Sequence, residues 1–199
     1  MIQGSPEWFQ ARVGKVTASR IADVTAKTRN GYGAGRANYM AELIVERLVG
    51  AKTDGYTSPA MQWGTDTEPE ARSFYEMGAD VEQVGFIDHP SIAMSGASPD
   101  GLVGDAGMLE IKCPNTSTHI ETLLGGSIPQ KYVYQMQWQM ACAEREWCDF
   151  MSFDPRLPGR MQSHITRVHR DDKTIAMLES EVRTFLDELD EKLNRLEAA

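Results

Sequence analysis

The chain has 199 residues, three cysteines and a formal net charge of −9. This length predicts one domain, 1–199, whose core needs no disulfides. An odd number of cysteines without metal-finger spacing indicates reduced thiols and a cytoplasmic setting. No stretch approaches the roughly 18 apolar residues of a membrane span, and the first residues have neither a basic region nor an apolar core, so we expect no membrane partner and no secretion.

Charge is unevenly distributed along the chain. Residues 1–50 hold seven basic and four acidic side chains, a net charge of +3, whereas residues 171–199 hold four basic and nine acidic ones, a net charge of −5. The overall negative charge argues against a protein that coats nucleic acid, because phosphate contacts need Lys and Arg. A chain segregated in this way can still present one basic face to a DNA end.

The first part of the domain, 1–60, is predicted to be helical. One helix is expected to begin near Thr17, and a second is expected from about 37 to 49, where Gly50 stops it. Their inward-facing side chains would be Ile21, Val24, Met40, Leu43, Ile44 and Leu48. Residues 25–35 form a polar, glycine-containing loop with two cations, Lys27 and Arg29, which makes this loop a candidate mobile DNA contact.

The middle part, 61–170, is predicted to be the catalytic core of a mixed α/β domain. Helices are expected at about 66–77 and 128–143. Strands of one mixed sheet are expected near 81–88, 92–96, 101–104, 107–113, 147–153 and 162–169.

The last part, 171–199, is predicted to be a long amphipathic helix over 172–197. Its apolar side chains recur at three- and four-residue spacings: Ile175, Leu178, Val182, Phe185, Leu186, Leu189, Leu193 and Leu196. Such a stripe needs a partner surface, either in its own domain or at an interface.

The most informative motif is Ser98-Pro-Asp100-Gly101 followed by Glu110-Ile111-Lys112. Side chains alternate along a strand, so Glu110 and Lys112 should share one face while Ile111 points into a core. The segment after Asp100 could return antiparallel to the strand over 107–113. That pairing would bring the Asp100 carboxylate beside Glu110.

These three residues suit metal-dependent hydrolysis of a phosphodiester. Carboxylate oxygens of Asp100 and Glu110, with the Ile111 carbonyl between them, are ligands that Mg²⁺ prefers. A cation held there would polarise a phosphate, and Lys112 could orient water or neutralise charge in the transition state. The alternative interpretation, without a catalytic role, is a surface turn followed by a strand whose charged face is solvated. The four histidines lack zinc-ligand spacing, so we expect solvated or capping roles, with His119 in a polar loop.

Several separated motifs occur in one order and together resemble a known family. They are Arg12-Val-Gly-Lys-Val-Thr-Ala-Ser19, Trp63-Gly-Thr-Asp-Thr-Glu68, the Ser98–Gly101 turn, Leu109-Glu-Ile-Lys-Cys-Pro114 and Tyr134-Gln-Met-Gln-Trp-Gln-Met140. This set resembles the PD-(D/E)xK nucleases of the phage lambda exonuclease type, also called YqaJ-like viral recombinases. The likeness runs from about residue 8 to about residue 155.

The resemblance implies a fold, an activity and partners. The fold would be a restriction-endonuclease-like core, a mixed β-sheet flanked by helices. The activity would be a magnesium-dependent 5′-to-3′ exonuclease, with Mn²⁺ as a substitute ion, that releases 5′ mononucleotides from double-stranded DNA ends and leaves 3′ overhangs for recombination. A homotrimeric ring around DNA would explain processivity, and a single-strand annealing protein would be the partner.

The resemblance also implies roles for individual residues. A pocket for the terminal 5′ phosphate would comprise Arg12, Ser19, Ser98 and Gln137. Arg29 matches an arginine that enters the minor groove, and Met61 matches an apolar wedge between the last base pairs. Pro59 stands where the family has a lysine, which leaves the means of strand separation open.

Structural alternatives remain open for several of these residues. Glu68 matches an acidic residue near the metal, but Thr65-x-x-Glu68 is also a capping box at a helix start. Thr17 and Ser19 would open a helix whose free amides attract an anion, or they would be an ordinary N-cap. Arg12 could add a bidentate contact to the same anion or be a surface cation. Gln137 could instead line a polar edge of the core, and Met61 could be a core methionine.

Two other function classes fit the same residues. A structure- or site-specific endonuclease of the same metal chemistry would cut circular DNA. A non-catalytic DNA-end-binding protein would release no nucleotide.

Overall fold

The computed structural model describes residues 1–29, 31–52 and 58–199 as a mixed α/β chain. The helices are α1 (Pro6–Arg12), α2 (Ile21–Thr25), α3 (Ala34–Val49), α4 (Pro59–Glu76), α5 (Thr116–Leu123), α6 (Gln130–Ala143) and α7 (Asp172–Glu197). The strands are β1 (Val16–Thr17), β2 (Lys27–Thr28), β3 (Gly31–Tyr32), β4 (Ile87–Asp88), β5 (Ser95–Ala97), β6 (Gly101–Val103), β7 (Gly107–Lys112), β8 (Trp147–Phe153) and β9 (Ser163–His169). No helix in these ranges is long and apolar enough to cross a membrane.

The largest sheet has the strand order β6-β7-β8-β9. β6 and β7 are antiparallel, β7 and β8 are parallel, and β8 and β9 are antiparallel. The parallel connection from β7 to β8 runs through α5 and α6, as a parallel pair requires a crossover. Helix α4 packs against one face of this sheet and α6 packs against the other.

The single predicted sheet is wrong in its extent. β1, β5 and β4 form a separate three-stranded sheet, and β2 pairs with β3 in a hairpin. The strand expected over 81–88 is reduced to β4 and an isolated bridge between Glu82 and Leu102. Short strands separated by turns have nearly the same sequence pattern as one long strand, so the pattern does not show where each strand ends.

The apolar side chains form three clusters around the large sheet and α6. One lies between the sheet and α4, and includes Leu109 and Ile111. A second lies between the sheet and α6. The third joins α2, α3, α6 and α7. Helix α6 is buried on several sides because it contacts both the sheet and the helices behind it.

The stripe of α7 finds its partner surface within the described chain. Leu178, Val182, Phe185, Leu186 and Leu189 are buried in the cluster with α2, α3 and α6, and Leu193 packs against the same cluster. Ile175 is buried as well. Leu196 is exposed, and so is Leu48 of α3, which was expected to face inward. Helix α3 ends at Gly50 as predicted, in the left-handed conformation with φ of 72°.

Two helices were not predicted, and one of them changes the interpretation of a histidine. They are α1, with its N-cap Ser5, and α5, with its N-cap Asn115. His119 lies in α5 and is fully buried, so its expected place in a polar loop is wrong. Its ring nitrogens are 2.7 Å from Ser152 Oγ and 2.9 Å from the Met161 carbonyl oxygen.

Candidate active site

The predicted acidic pair meets where β6 and β7 adjoin. Gly101 faces Leu109 in the antiparallel register, so Asp100 lies next to Glu110. The Ile111 amide donates a hydrogen bond to Asp100 Oδ2 at 2.6 Å. Burial and the neighbouring charge of Glu110 raise the pKa of Asp100 well above its ordinary range. Two carboxylates share a desolvated corner, and this arrangement favours a cation.

The predicted alternation along β7 is confirmed. Leu109 and Ile111 point into the cluster on the α4 side, whereas Glu110 and Lys112 face α6. The Lys112 ammonium donates to Glu110 Oε1. Burial alone would lower the pKa of Lys112, but the carboxylates of Glu110 and Asp100 outweigh it and hold that pKa above its ordinary range. Lys112 therefore stays charged at neutral pH.

Helix α6 supplies two amides to the Glu110 carboxylate. Gln135 Nε2 donates to Glu110 Oε1 at 2.7 Å, and Gln139 Nε2 donates to Glu110 Oε2 at 2.7 Å. Glu110 is only 1% exposed, so these bonds replace most of its contact with water. Neither glutamine was predicted as a site residue, although their four-residue spacing on a helix facing the sheet was the available signal.

The oxygen donors fit a hard divalent cation. Asp100 and Glu110 supply carboxylates, and Ile111, whose side chain is buried, supplies only backbone to the site. Within the described ranges no three side chains of His, Cys, Asp or Glu form a ready cation cluster. A cation fits this pair because its positive charge would offset the burial and the Glu110 repulsion that together raise the pKa of Asp100.

Glu68 reaches the same region from the middle of α4. The helix begins at Pro59 after the N-cap Ser58, seven residues before the predicted start. The capping-box interpretation is therefore wrong, and the Thr65 hydroxyl instead donates to the Met61 carbonyl at 3.2 Å. Glu68 forms an ion pair with Arg72, whose Nε donates to the Asp100 carbonyl at 3.2 Å.

A cleft of about 620 Å³ opens beside these groups. It lies between α4, the end of β7 and the start of α6. Its lining residues are Ser19, Ala60, Met61, Gly64, Thr65, Glu68, Ile111, Lys112, Cys113, Pro114, Tyr132 and Gln135. Met61 is 58% exposed at its edge, so the core alternative for this methionine is wrong. The cleft gives an extended polar substrate access to Lys112 and Glu68.

Two members of the predicted phosphate pocket are in contact. Arg12 Nη1 lies 3.4 Å from Ser98 Oγ, and the Arg12 guanidinium stacks on the Trp8 ring at 4.0 Å. Trp8 Nε1 donates to the same Ser98 hydroxyl at 2.9 Å. Burial lowers the pKa of Arg12 from its ordinary value, and a partly desolvated guanidinium attracts an anion more strongly than a solvated one.

Ser19 follows β1, the strand that pairs with the β5 strand preceding Ser98. β1 runs parallel to β5 with Thr17 opposite Gly96, so Ser19 and Ser98 leave the sheet at the same end. Residues 18–20 form a 3₁₀ turn in which Thr17 makes no side-chain cap hydrogen bond, so the ordinary N-cap interpretation is wrong for Thr17. Ser19 is exposed in the cleft.

Gln137 is the predicted site residue that the structure places elsewhere. Its Nε2 donates to the His169 carbonyl at 2.8 Å, and its Oε1 accepts from the Asp171 amide at 2.8 Å. Both ends of this amide hold the junction between β9 and α7. The reason is helical geometry, because Gln137 is two residues from Gln135 and thus faces away from Glu110.

The hairpin carrying Arg29 is attached to α7. Arg29 is exposed in the turn after β2, and neighbouring Asn30 lies outside the described residues. At the base of the hairpin, Lys27 Nζ is 2.6 Å from Glu181 Oε1 and the Tyr32 hydroxyl donates to Glu181 Oε2 at 2.7 Å. The expected loop is therefore a two-stranded hairpin whose strands are held by one carboxylate.

Comparison with known proteins identifies the family of the chain. The sequence profile of the YqaJ-like viral recombinase domain matches residues 7–146. The chain belongs to this family. No functionally curated protein gives a significant match.

Two solved structures similar to this YqaJ-like chain are 55% identical to it and cover 98% of it and 97% of their own chains. They are LHK-Exo in complex with dAMP, with a TM-score of 0.91, and the alkaline exonuclease LHK-Exo from Laribacter hongkongensis, with a TM-score of 0.90. A phage-related exonuclease from Haemophilus somnus 129PT is 12% identical, with a TM-score of 0.69 over 92% of this chain and 96% of its own, which shows a shared fold.

The family match encloses every predicted site residue, since these lie between Arg12 and Gln137. The elements after residue 146 are β8, β9 and α7. They belong to the same fold, because the structural matches extend over nearly the whole chain.

Proposed function

We propose that this YqaJ-like chain is a magnesium-dependent exonuclease that digests one strand of duplex DNA from its 5′ end. The observation that carries the proposal is the junction of Asp100, Glu110 and Lys112 beside an open cleft. The 55% identical relative described as an alkaline exonuclease supports it, and so does the mononucleotide dAMP in one of its crystals. The products would be 5′ mononucleotides and 3′ overhangs.

Asp100 and Glu110 would hold the cation, with the Ile111 carbonyl as a further ligand. When bound, Mg²⁺, or Mn²⁺ in its place, polarises the scissile phosphate and makes a water more acidic. Lys112 is placed to stabilise negative charge on the phosphoryl oxygens, since its ammonium remains protonated beside the acidic pair. Glu68 lines the same cleft from α4 and would bind a water or a second ion.

Arg12, Ser98 and Ser19 would bind the terminal 5′ phosphate and select a DNA end over an internal site. The contact between Arg12 and Ser98 supports this role, and so does the shared sheet end at which Ser19 and Ser98 follow β1 and β5. Arg29 and Met61 are both exposed and would meet the duplex, Arg29 at the minor groove and Met61 at the last base pairs.

The assembly and setting follow from the same proposal. A homotrimeric ring around DNA would retain the strand being digested, and a single-strand annealing protein would take the overhang. The three cysteines are free, which suits a reducing compartment such as the cytoplasm.

The decisive experiment measures release of labelled nucleotide from each end of a linear duplex, with and without Mg²⁺. We expect nucleotide release from 5′-phosphorylated ends, and we expect it only when Mg²⁺ is present. Lys112→Ala should abolish release while duplex-end binding persists, and unaltered turnover would remove Lys112 from the mechanism. Release that starts at the 3′ end, or none from the wild type, would reject the proposal.

Closed circular plasmid tests the endonuclease alternative in the same assay. An end-dependent enzyme leaves the plasmid intact, whereas an endonuclease of the same chemistry cuts it. Arg12→Ala should lose the preference for 5′-phosphorylated over 5′-hydroxyl ends. An unchanged preference would reject the phosphate pocket.

A further inference from the structure

Gln139 is a fully buried amide whose bonding is one-sided. Its Nε2 donates to Glu110 Oε2 at 2.7 Å, and its Oε1 has no hydrogen-bond partner among the described residues. An unpaired buried carbonyl oxygen costs free energy, so an apolar side chain at this position would avoid that cost. The hydrogen bond to Glu110 is therefore the feature that explains an amide, and not an apolar side chain, at this position.

The two oxygens of Glu110 are supported differently. Oε1 accepts from both Lys112 and Gln135, and both of these side chains line the open cleft. Oε2 accepts from Gln139, which is inaccessible to solvent. The buried amide thus fixes the plane of the carboxylate from the side that substrate does not reach.

The neutrality of this donor matters for a cation site. An arginine or lysine in the same place would also satisfy Glu110 Oε2, but it would add a second positive charge to that of Lys112 and weaken the attraction of the carboxylate for a cation. An amide orients the oxygen and leaves the negative charge of Glu110 intact. Carboxylate ligands of metals are commonly held by such outer hydrogen bonds.

We propose that Gln139 is a positioning residue that holds Glu110 in the orientation required to bind the divalent cation. This inference rests on the proposed function, because it assumes that Glu110 is a metal ligand. Loss of an outer hydrogen bond of this kind typically weakens metal affinity by about 10- to 100-fold.

The test compares Gln139→Leu with Gln137→Leu, because both glutamines are buried in α6 and only Gln139 contacts Glu110. Mg²⁺ binding to the DNA-free protein is measured by titration calorimetry, and nucleotide release is measured against Mg²⁺ concentration. We expect roughly 10- to 100-fold weaker Mg²⁺ binding for Gln139→Leu and release restored by high Mg²⁺. Gln137→Leu should lower the melting temperature without changing Mg²⁺ affinity.

A second variant guards against misfolding, and a third separates this inference from the function on which it rests. Gln139→Met keeps the length of the side chain and should show the same loss of affinity. A folded Gln139→Met protein that binds Mg²⁺ within twofold of wild type would overturn the inference. Glu110→Gln should abolish Mg²⁺ binding. If it does, wild-type affinity in Gln139→Met rejects only the role of Gln139. Wild-type Mg²⁺ affinity in Glu110→Gln would overturn both the inference and the proposed metal site.

Discussion

The Asp154 carboxylate holds Arg156, which connects α4 with the segment after β7, and replacement of Asp154 should destabilise the fold in a pH-dependent way. Asp154 is fully buried, and Thr116 Oγ1 and Arg156 donate to it at 2.7–3.0 Å. Arg156 in turn stacks on the Trp63 ring of α4 at 4.3 Å and contacts the Pro114 carbonyl at 3.5 Å. Asp154→Asn keeps the shape of the side chain and removes its charge.

The magnitude follows from the pKa of Asp154. Hydrogen bonds from Arg156, more than those from Thr116, lower it from 3.8 to about 2. Such a shift corresponds to about 2.4 kcal/mol at pH 7, and we expect about 1–2 kcal/mol because water screens Arg156, which is 46% exposed. A lowered pKa in the folded state stabilises above pH 3.8, and the contribution disappears as pH falls through 2. At pH 3 about half should remain.

Urea unfolding of wild type and Asp154→Asn, followed by tryptophan fluorescence at pH 7 and pH 3, measures this difference. The matched control is Asp172→Asn, which removes an exposed partner of Arg170 and should change stability by less than about 0.5 kcal/mol. A difference between Asp154→Asn and wild type that is the same at both pH values would refute the linkage to ionisation. A difference no larger than that of the control would refute the buried-pair argument.

Three further predictions concern the site and its supports. Asp100→Asn should raise the melting temperature in EDTA, because the substitution removes the desolvated charge that raises the pKa of Asp100. Mg²⁺ should stabilise the wild type but not this variant. An unchanged melting temperature in EDTA would contradict this prediction. Glu181→Gln should speed amide hydrogen exchange in the Arg29 hairpin and weaken duplex binding by about twofold to fivefold, whereas unchanged exchange would show that this carboxylate does not hold the hairpin. Trp8→Phe keeps an aromatic ring but removes the N–H that donates to Ser98. The preference for 5′-phosphorylated ends, measured as a ratio of kcat/KM, should therefore fall by about 2- to 10-fold, and an equal ratio would exclude a role for the indole N–H.

The centre of the site could be predicted from the sequence because a strand has a fixed period of two. Glu110 and Lys112 had to share a face, and Ile111 had to lie on the other. The short segment between Asp100 and β7 made a tight antiparallel return possible, and the register of β6 and β7 confirms it. Local geometry therefore determined which groups meet, without knowledge of the rest of the fold.

The start of α4 could not be predicted as readily, because its sequence contains two residues that usually interrupt helices. Gly64 and Pro69 both lie within α4, and each weakens a helix in isolation. Packing of Ala71 and Tyr75 against the sheet compensates for them. The Ser58-Pro59 pair was the local signal for the true start, since an N-cap serine followed by proline is typical of a helix beginning.

The error at Gln137 has a different cause, because α6 is buried on several sides. Met136 and Met140 face the sheet while Trp138 and Cys142 face the helices behind. An amphipathic helix reveals its inner face through its apolar stripe, but a helix that is apolar on several sides does not. Three glutamines at 135, 137 and 139 then look equivalent in sequence. Only the position of the sheet decides that two of them contact Glu110 and the third secures α7.

The same feature explains why this helix can serve both the site and the fold. A helix exposed on one side could not bring a fully buried amide to Glu110 and also hold α7 from its opposite face. Because α6 lies at the centre, substitutions at neighbouring positions should separate cleanly into effects on the cation site and effects on stability. Comparison of Gln139 with Gln137 therefore tests the arrangement of the whole core as well as the role of one residue.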